Sequence, residues 1–195
     1  QPTAVTVTAT NSSGEAREYR CRMVADCSGQ NGWLARKYQL REYDPVLRNV
    51  AIFKYYRGAT RMTGRNANGI FCEATPDGWF WNIPLHDGTN SVGLVSKARS
   101  NIGAPDTIFD AALKSSRYLK QQLSSASCVS QTRTIQDYSY RGSQLFGPGF
   151  VLVGDAGNFI DPVWSTGVFL ATTAAKLSVN AILRWLDSGI IEGFN

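Results

Sequence analysis

The segment Phe150-Val151-Leu152-Val153 constrains this chain more than any other. Four consecutive apolar residues are too few for a buried helix but suit a strand covered on both faces, as in a parallel sheet. The run stops at Gly154-Asp155-Ala156 and passes into a loop that contains Pro162. Ser165-Thr166-Gly167 then heads a long stretch read as a helix to about Leu186, stopped by Ser188-Gly189. Strand, glycine turn, loop and helix in that order build an α/β layer, whose ligands sit at the carboxyl ends of the strands. Gly154 lets a ligand approach the backbone. Asp155 can accept hydrogen bonds from sugar or polyol hydroxyls. The unpaired amides at Ser165-Thr166-Gly167 suit an anion, and the hydroxyls there also suit a plain helix cap.

The remaining chain is assigned around that unit. Ala4–Thr10 and a second strand ending near Ala25 form a hairpin about the turn Asn11-Ser12-Ser13-Gly14. Asp26-Cys27-Ser28-Gly29 follows, then a short helix at 33–38. Residues 48–98 carry four strands, at 50–57, 69–74, 78–84 and 90–96, which predict an antiparallel sheet. Pro105 opens a helix expected over 106–124, and residues 132–141 read as a strand returning to the first layer. The fold class is therefore mixed α/β: part of a Rossmann-like layer plus an antiparallel sheet. Three segments are expected, 1–47, 48–131 and 132–195.

Composition excludes several functions. Hydrophobic residues make up 43% and charged residues 18%, a globular balance, with no run of the ~18 apolar residues a membrane span needs. The net charge of +5 is dispersed, and Arg57, Arg61 and Arg65 read as a solvated face, so nucleic acid is not an expected partner. The four cysteines show no C-x-x-C spacing and His86 is the one histidine. No metal site is expected, and reduced thiols point to the cytoplasm. The chain begins in mid-strand without Met, which reads as a fragment.

Two pairs of motifs carry a resemblance. Gly154-Asp155-Ala156 is similar to the Gly-Asp signature of flavoprotein monooxygenases, and Asp26-x-Ser28-Gly29 to that superfamily's second FAD-side loop. More specifically, Trp79-Phe80-Trp81-Asn82-Ile83-Pro84 matches the W-x-W-x-I-P signature of flavin-dependent halogenases. Phe159 to Gly167 matches their F-x-x-P-x-x-S-x-G signature. The resemblance implies an oxidoreductase in which reduced FAD, oxygen and chloride or bromide give hypohalous acid, which halogenates an electron-rich substrate. It implies FAD contacts at Asp26, Gly29, Gly154, Asp155, Asp161, Pro162 and Gly167, and a halide site at the Thr166 and Gly167 amides. Trp79, Trp81 and Ser165 take the catalytic roles, the tryptophans keeping substrate off the flavin. A flavin reductase is implied as partner.

Two departures from that pattern matter. A G-x-G-x-x-G and the family's catalytic Lys are absent, so both are expected upstream, and this chain alone should bind FAD weakly. Trp164 stands where tryptophan halogenases carry Glu, which favours a phenolic or pyrrolic substrate, free or tethered to a carrier protein. The rival readings are an aromatic hydroxylase or reductase of the same superfamily, and a non-catalytic binding module.

Overall fold

The computed structural model describes residues 4–97, 103–136 and 139–188. It is mixed α/β and divides into two units, residues 1–44 with 139–195, and residues 45–138.

In the first unit, β1 (Val5–Thr10) and β2 (Ala16–Cys21) form an antiparallel hairpin with Val5 opposite Cys21. The Asn11 side-chain oxygen accepts from the Ser13 and Glu15 amides and closes its turn. The second strand of the expected hairpin is in fact two. Its last part, β3 (Val24–Asp26), leaves β1 and pairs in parallel with β13 (Phe150–Leu152). Strand β13 thus lies between β3 and the short antiparallel β12 (Phe146–Gly147). Its apolar run is explained by burial: Val151, Leu152 and Val153 are all buried. Leu152 packs with Leu34 and Ala35 of α1 (Trp33–Lys37). A second pair, β4 (Arg41–Tyr43) with β11 (Tyr140–Gly142), is antiparallel. Helix α4 (Gly167–Ser188) follows the site loop. Its expected stop residue Gly189 lies outside the described residues, as do Asp137 and Tyr138 of the expected 132–141 strand.

The second unit is the antiparallel sheet. Strands β5 (Asn49–Arg57), β6 (Phe71–Thr75), β7 (Gly78–Pro84), β8 (Thr89–Lys97), β9 (Ser127–Cys128) and β10 (Arg133–Gln136) build it. The order is β10-β5-β8-β7-β6, with β9 also pairing β5. The residues at 132–141 therefore do not act as one returning strand. Arg133–Gln136 stays with β5, and Tyr140–Gly142 belongs to the first unit. Strand β10 finds its ladder partner in this sheet, and the second unit extends to residue 138. Period-two alternation on β5 sends Val50, Ile52 and Tyr56 into a core with Phe80, Val92, Leu94, Phe109 and Leu119. Phe80 and Phe109 meet edge to face at 5.5 Å.

The helix expected over 106–124 is broken into α2 (Pro105–Ser115) and α3 (Leu119–Gln122). Ser116 turns extended, and the buried carboxylate of Glu73 accepts the amides of Arg117, Tyr118 and Leu119. A charge placed at that point captures the donors that a continuous helix would have used internally.

Lys54 shares the helix-facing side of β5 and is 7% exposed. Its ammonium is 2.7 Å from Asp106 and 3.3 Å from Asp110 and lies over the Phe109 ring. Burial works to lower the Lys54 pKa, but the Asp106 hydrogen bond and neighbouring charges leave it raised. Asp106 is held below the usual carboxylate range, first by Lys54 and then by the Thr132 hydroxyl. A carboxylate depressed on folding stabilises above its unfolded pKa, and that stability is lost as pH falls through the folded value. The denaturation midpoint is therefore expected to fall below about pH 4, with a shallower fall in Asp106→Asn. Equal slopes for the two proteins would show that the pair does not contribute.

Candidate active site

Seven of the candidate residues of the first unit converge on a cleft of about 520 Å³. Gly154 and Asp155 enter it from the turn after β13. Asp161, Pro162 and Ser165 come from the loop, and Thr166 and Gly167 from the head of α4.

Each position has a local physical cause. Gly154 has φ +61°, the left-handed region that glycine enters without strain, and a Cβ there would lie 3.0 Å from Cβ of Ala171 on α4. Helix α4 can approach the turn only because that side chain is missing. Asp155 is partly buried, and burial pushes its carboxyl up from the ordinary value, with no opposing hydrogen bond from the described residues. A desolvated carboxylate without a donor is ready to accept one. The Asp161 carboxylate accepts the Val163 amide at 3.1 Å and fixes a short turn at Pro162–Trp164. Ser165 then adopts φ +52°, unusual for a residue with a side chain. The cost of that conformation marks a constrained corner. The corner redirects the chain into α4, whose first internal bond runs from the Leu170 amide to the Thr166 carbonyl at 3.0 Å. Amides of the preceding residues in that turn have no helical partner, and the positive dipole end there favours negative charge.

Asp26 and Gly29 lie in the same unit but do not line the cleft. The Asp26 carboxylate is turned inward and is 4% exposed. One oxygen accepts the Ser28 amide and hydroxyl, and the other the Leu34 amide at 2.7 Å. A buried carboxylate needs such donors, so Asp26 holds the loop and the start of α1. Gly29 is in the left-handed region, φ +63°, and open to solvent on its Cβ side.

Trp79 and Trp81 belong to the second unit, on β7. They share the sheet face opposite the buried Phe80, with ring centroids 6.0 Å apart. Trp164, in the loop of the first unit, is 82% exposed.

Sequence reasoning missed a brace behind the cleft. The Tyr140 hydroxyl donates to the Asp155 carbonyl at 2.5 Å. Arg41 donates to Tyr140 Oη at 3.3 Å and to the Gln30 carbonyl, with its guanidinium 4.1 Å from the Tyr140 ring centroid. Burial pushes the Tyr140 phenol up to about 12, so it stays a donor across the ordinary pH range. Arg41 and Tyr140 are 99 positions apart, and no local spacing could have paired them.

Comparison with known proteins gives a consistent picture. The sequence pattern described as tryptophan halogenase matches residues 4–193. A tryptophan 2-halogenase from Chondromyces crocatus is 37% identical over 179 residues, which cover 88% of this chain and 34% of the relative. A 1H-pyrrole-2-carbonyl peptidyl-carrier-protein chlorinase from Pseudomonas fluorescens is 32% identical, covering 86% and 39%. The crystal structure of CmlS, a flavin-dependent halogenase, superposes with a TM-score of 0.87 at 31% identity, over 96% of this chain and 35% of that one. The chain spans about a third of the length of these relatives. Among the described residues no helix is long and apolar enough to cross a membrane.

Proposed function

Because the chain belongs to the tryptophan halogenase family of flavin-dependent enzymes, we propose that it forms part of an enzyme that halogenates an electron-rich substrate using reduced FAD, oxygen and chloride or bromide. The observation that carries this reading is the convergence of Gly154, Asp155, Asp161, Pro162, Ser165, Thr166 and Gly167 on one cleft. Bound reduced FAD supplies the electrons that activate oxygen for oxidation of the halide.

The chain's own residues then have definable tasks. Asp155 accepts hydrogen bonds from the hydroxyls of the cofactor's polyol chain, which its desolvated carboxylate fits. Gly154 leaves room for that chain, and Gly29 gives the adjacent loop its left-handed turn. Asp161 and Pro162 shape the wall near the flavin ring. Ser165 holds the corner from which the Thr166 and Gly167 amides face the halide. Trp79 and Trp81 exclude the substrate from direct contact with the flavin. The catalytic lysine lies outside this chain, and a flavin reductase delivers the reduced cofactor. Trp164 in place of Glu, together with the relative that acts on a carrier-bound pyrrole, supports a phenolic or pyrrolic substrate, free or carrier-tethered. The four free thiols support a cytoplasmic setting.

The full-length protein, supplied with a flavin reductase and FAD, is offered a phenol, a carrier-bound pyrrole and free tryptophan with and without halide. The halogenated product is expected only with halide, and from the first two substrates before tryptophan. Halide-independent hydroxylation would overturn the halogenase reading in favour of an aromatic hydroxylase. Asp155→Ala is expected to weaken flavin binding by about 10- to 100-fold, the value of a hydrogen bond to a charged acceptor. Since the ionised carboxylate is the stronger acceptor, wild-type flavin affinity should rise as pH rises through the raised Asp155 pKa, and titration against pH checks this.

A further inference from the structure

Strand β8 carries a glycine where β-propensity and burial would favour a side chain. Gly93 is buried at the middle of a nine-residue central strand, and it is opposed by Phe53 on β5 and by Trp81 on β7. A Cβ at this position would meet Cζ2, Cη2 and Cε2 of Trp81 at 2.1, 2.3 and 2.4 Å. Those are distances that real atoms do not adopt. The six-membered ring of the indole therefore occupies the very space a side chain at 93 would need.

Two more contacts close the seat. Trp81 Nε1 donates to Ser91 Oγ at 3.1 Å, and Ser91 lies two residues before Gly93 on the same sheet face. The Phe53 ring approaches from the other side, its centroid 6.1 Å from that of Trp81. Trp79 packs against the far flank at 6.0 Å and an interplanar angle of 53°. Neither Gly93 nor Ser91 belongs to the W-x-W-x-I-P segment.

We propose that Gly93 and Ser91 are positioning residues for Trp81: the glycine supplies the floor on which the indole lies, and the serine fixes which way round it lies. The geometry stands by itself. Its consequence for catalysis rests on the reading above, in which Trp81 holds substrate away from the flavin. A displaced indole then opens that barrier, so product is lost or appears as hydroxylated rather than halogenated material.

The test uses the full-length protein. Two tryptophans this close and this inclined give a coupled circular-dichroism band, isolated as the difference between wild type and Trp79→Phe. Gly93→Ala is expected to abolish that band, and Ser91→Ala to reduce it, while Ser91→Thr, which keeps the acceptor, retains it. Because Gly93→Ala alone can fail to fold, Gly93→Ala/Trp81→Leu is made beside it. Recovery of folding in the double variant shows that the indole is what the new methyl strikes. If Gly93→Ala and Ser91→Ala both leave the coupled band unchanged, the positioning proposal is wrong. If the band is lost but the yield and ratio of halogenated product hold, the seat stands and the catalytic reading of Trp81 falls. Loss of both, with halogenation down on the order of 100-fold as for a misplaced catalytic group, supports the two together.

Discussion

Gly154→Val is expected to empty the cleft of flavin and to destabilise the first unit by about 3 kcal/mol, combining left-handed strain with overpacking. Two independent physical terms produce the effect. Gly154 sits at φ +61°, where a β-branched residue is strained whatever the space around it. Its Cβ would also stand 3.0 Å from Cβ and 3.4 Å from Cα of Ala171. Either the turn rotates to relieve the angle, which carries Asp155 off its present position, or α4 moves away and takes the Thr166 and Gly167 amides with it. The terms can be separated. Ala171→Gly placed with Gly154→Ala removes the collision but not the backbone strain, so partial recovery of melting temperature measures the packing part. Flavin retained on purification and thermal unfolding of the full-length protein are the readouts. A valine variant with unchanged flavin content and melting temperature would show that the turn tolerates what the geometry forbids.

Glu73→Ala is expected to destabilise the antiparallel unit by about 3 kcal/mol, because three amides, the buried one of Leu119 among them, lose a charged acceptor together. Those amides, of Arg117, Tyr118 and Leu119, open α3. Glu73→Gln keeps one acceptor oxygen but presents an NH2 group where the second amide donates, so a smaller loss is expected. Leu119 lies fully buried at this point, so fraying of α3 exposes core as well as hydrogen bonds. Chemical denaturation of the two variants gives the order wild type, then Gln, then Ala. If the alanine variant matches wild type, the carboxylate is not what ends α2 and begins α3.

Much of the fold was legible because its signals are local. The apolar run 150–153 announced a strand buried on both faces, and the consecutive Val151, Leu152 and Val153 are all buried. Pro105 marked the first turn of α2. The alternation in Trp79-Phe80-Trp81 announced a strand with both indoles on one face, as β7 has them. Other features were hidden for an equally physical reason. The break at Ser116–Tyr118 depends on a carboxylate more than forty positions earlier. The destination of Arg133–Gln136 depends on which strand edge was free to pair. In the candidate site, the pattern from Gly154 to Gly167 could be read by eye. The inward turn of Asp26 could not, since it follows from the burial of that carboxylate beside the Leu34 amide.

Residue types and spacing determined the elements, the order of the motifs and the family, because strand alternation, glycine turns and helix starts are set by neighbours in the chain. Only tertiary structure decided that seven motif residues share one cleft, that Tyr140 and Arg41 brace it from behind, and that Gly93 makes the bed for Trp81. Those outcomes turn on contacts between residues far apart in sequence. Such contacts depend on which surfaces meet when the sheet and helices pack, and spacing along the chain carries no record of that.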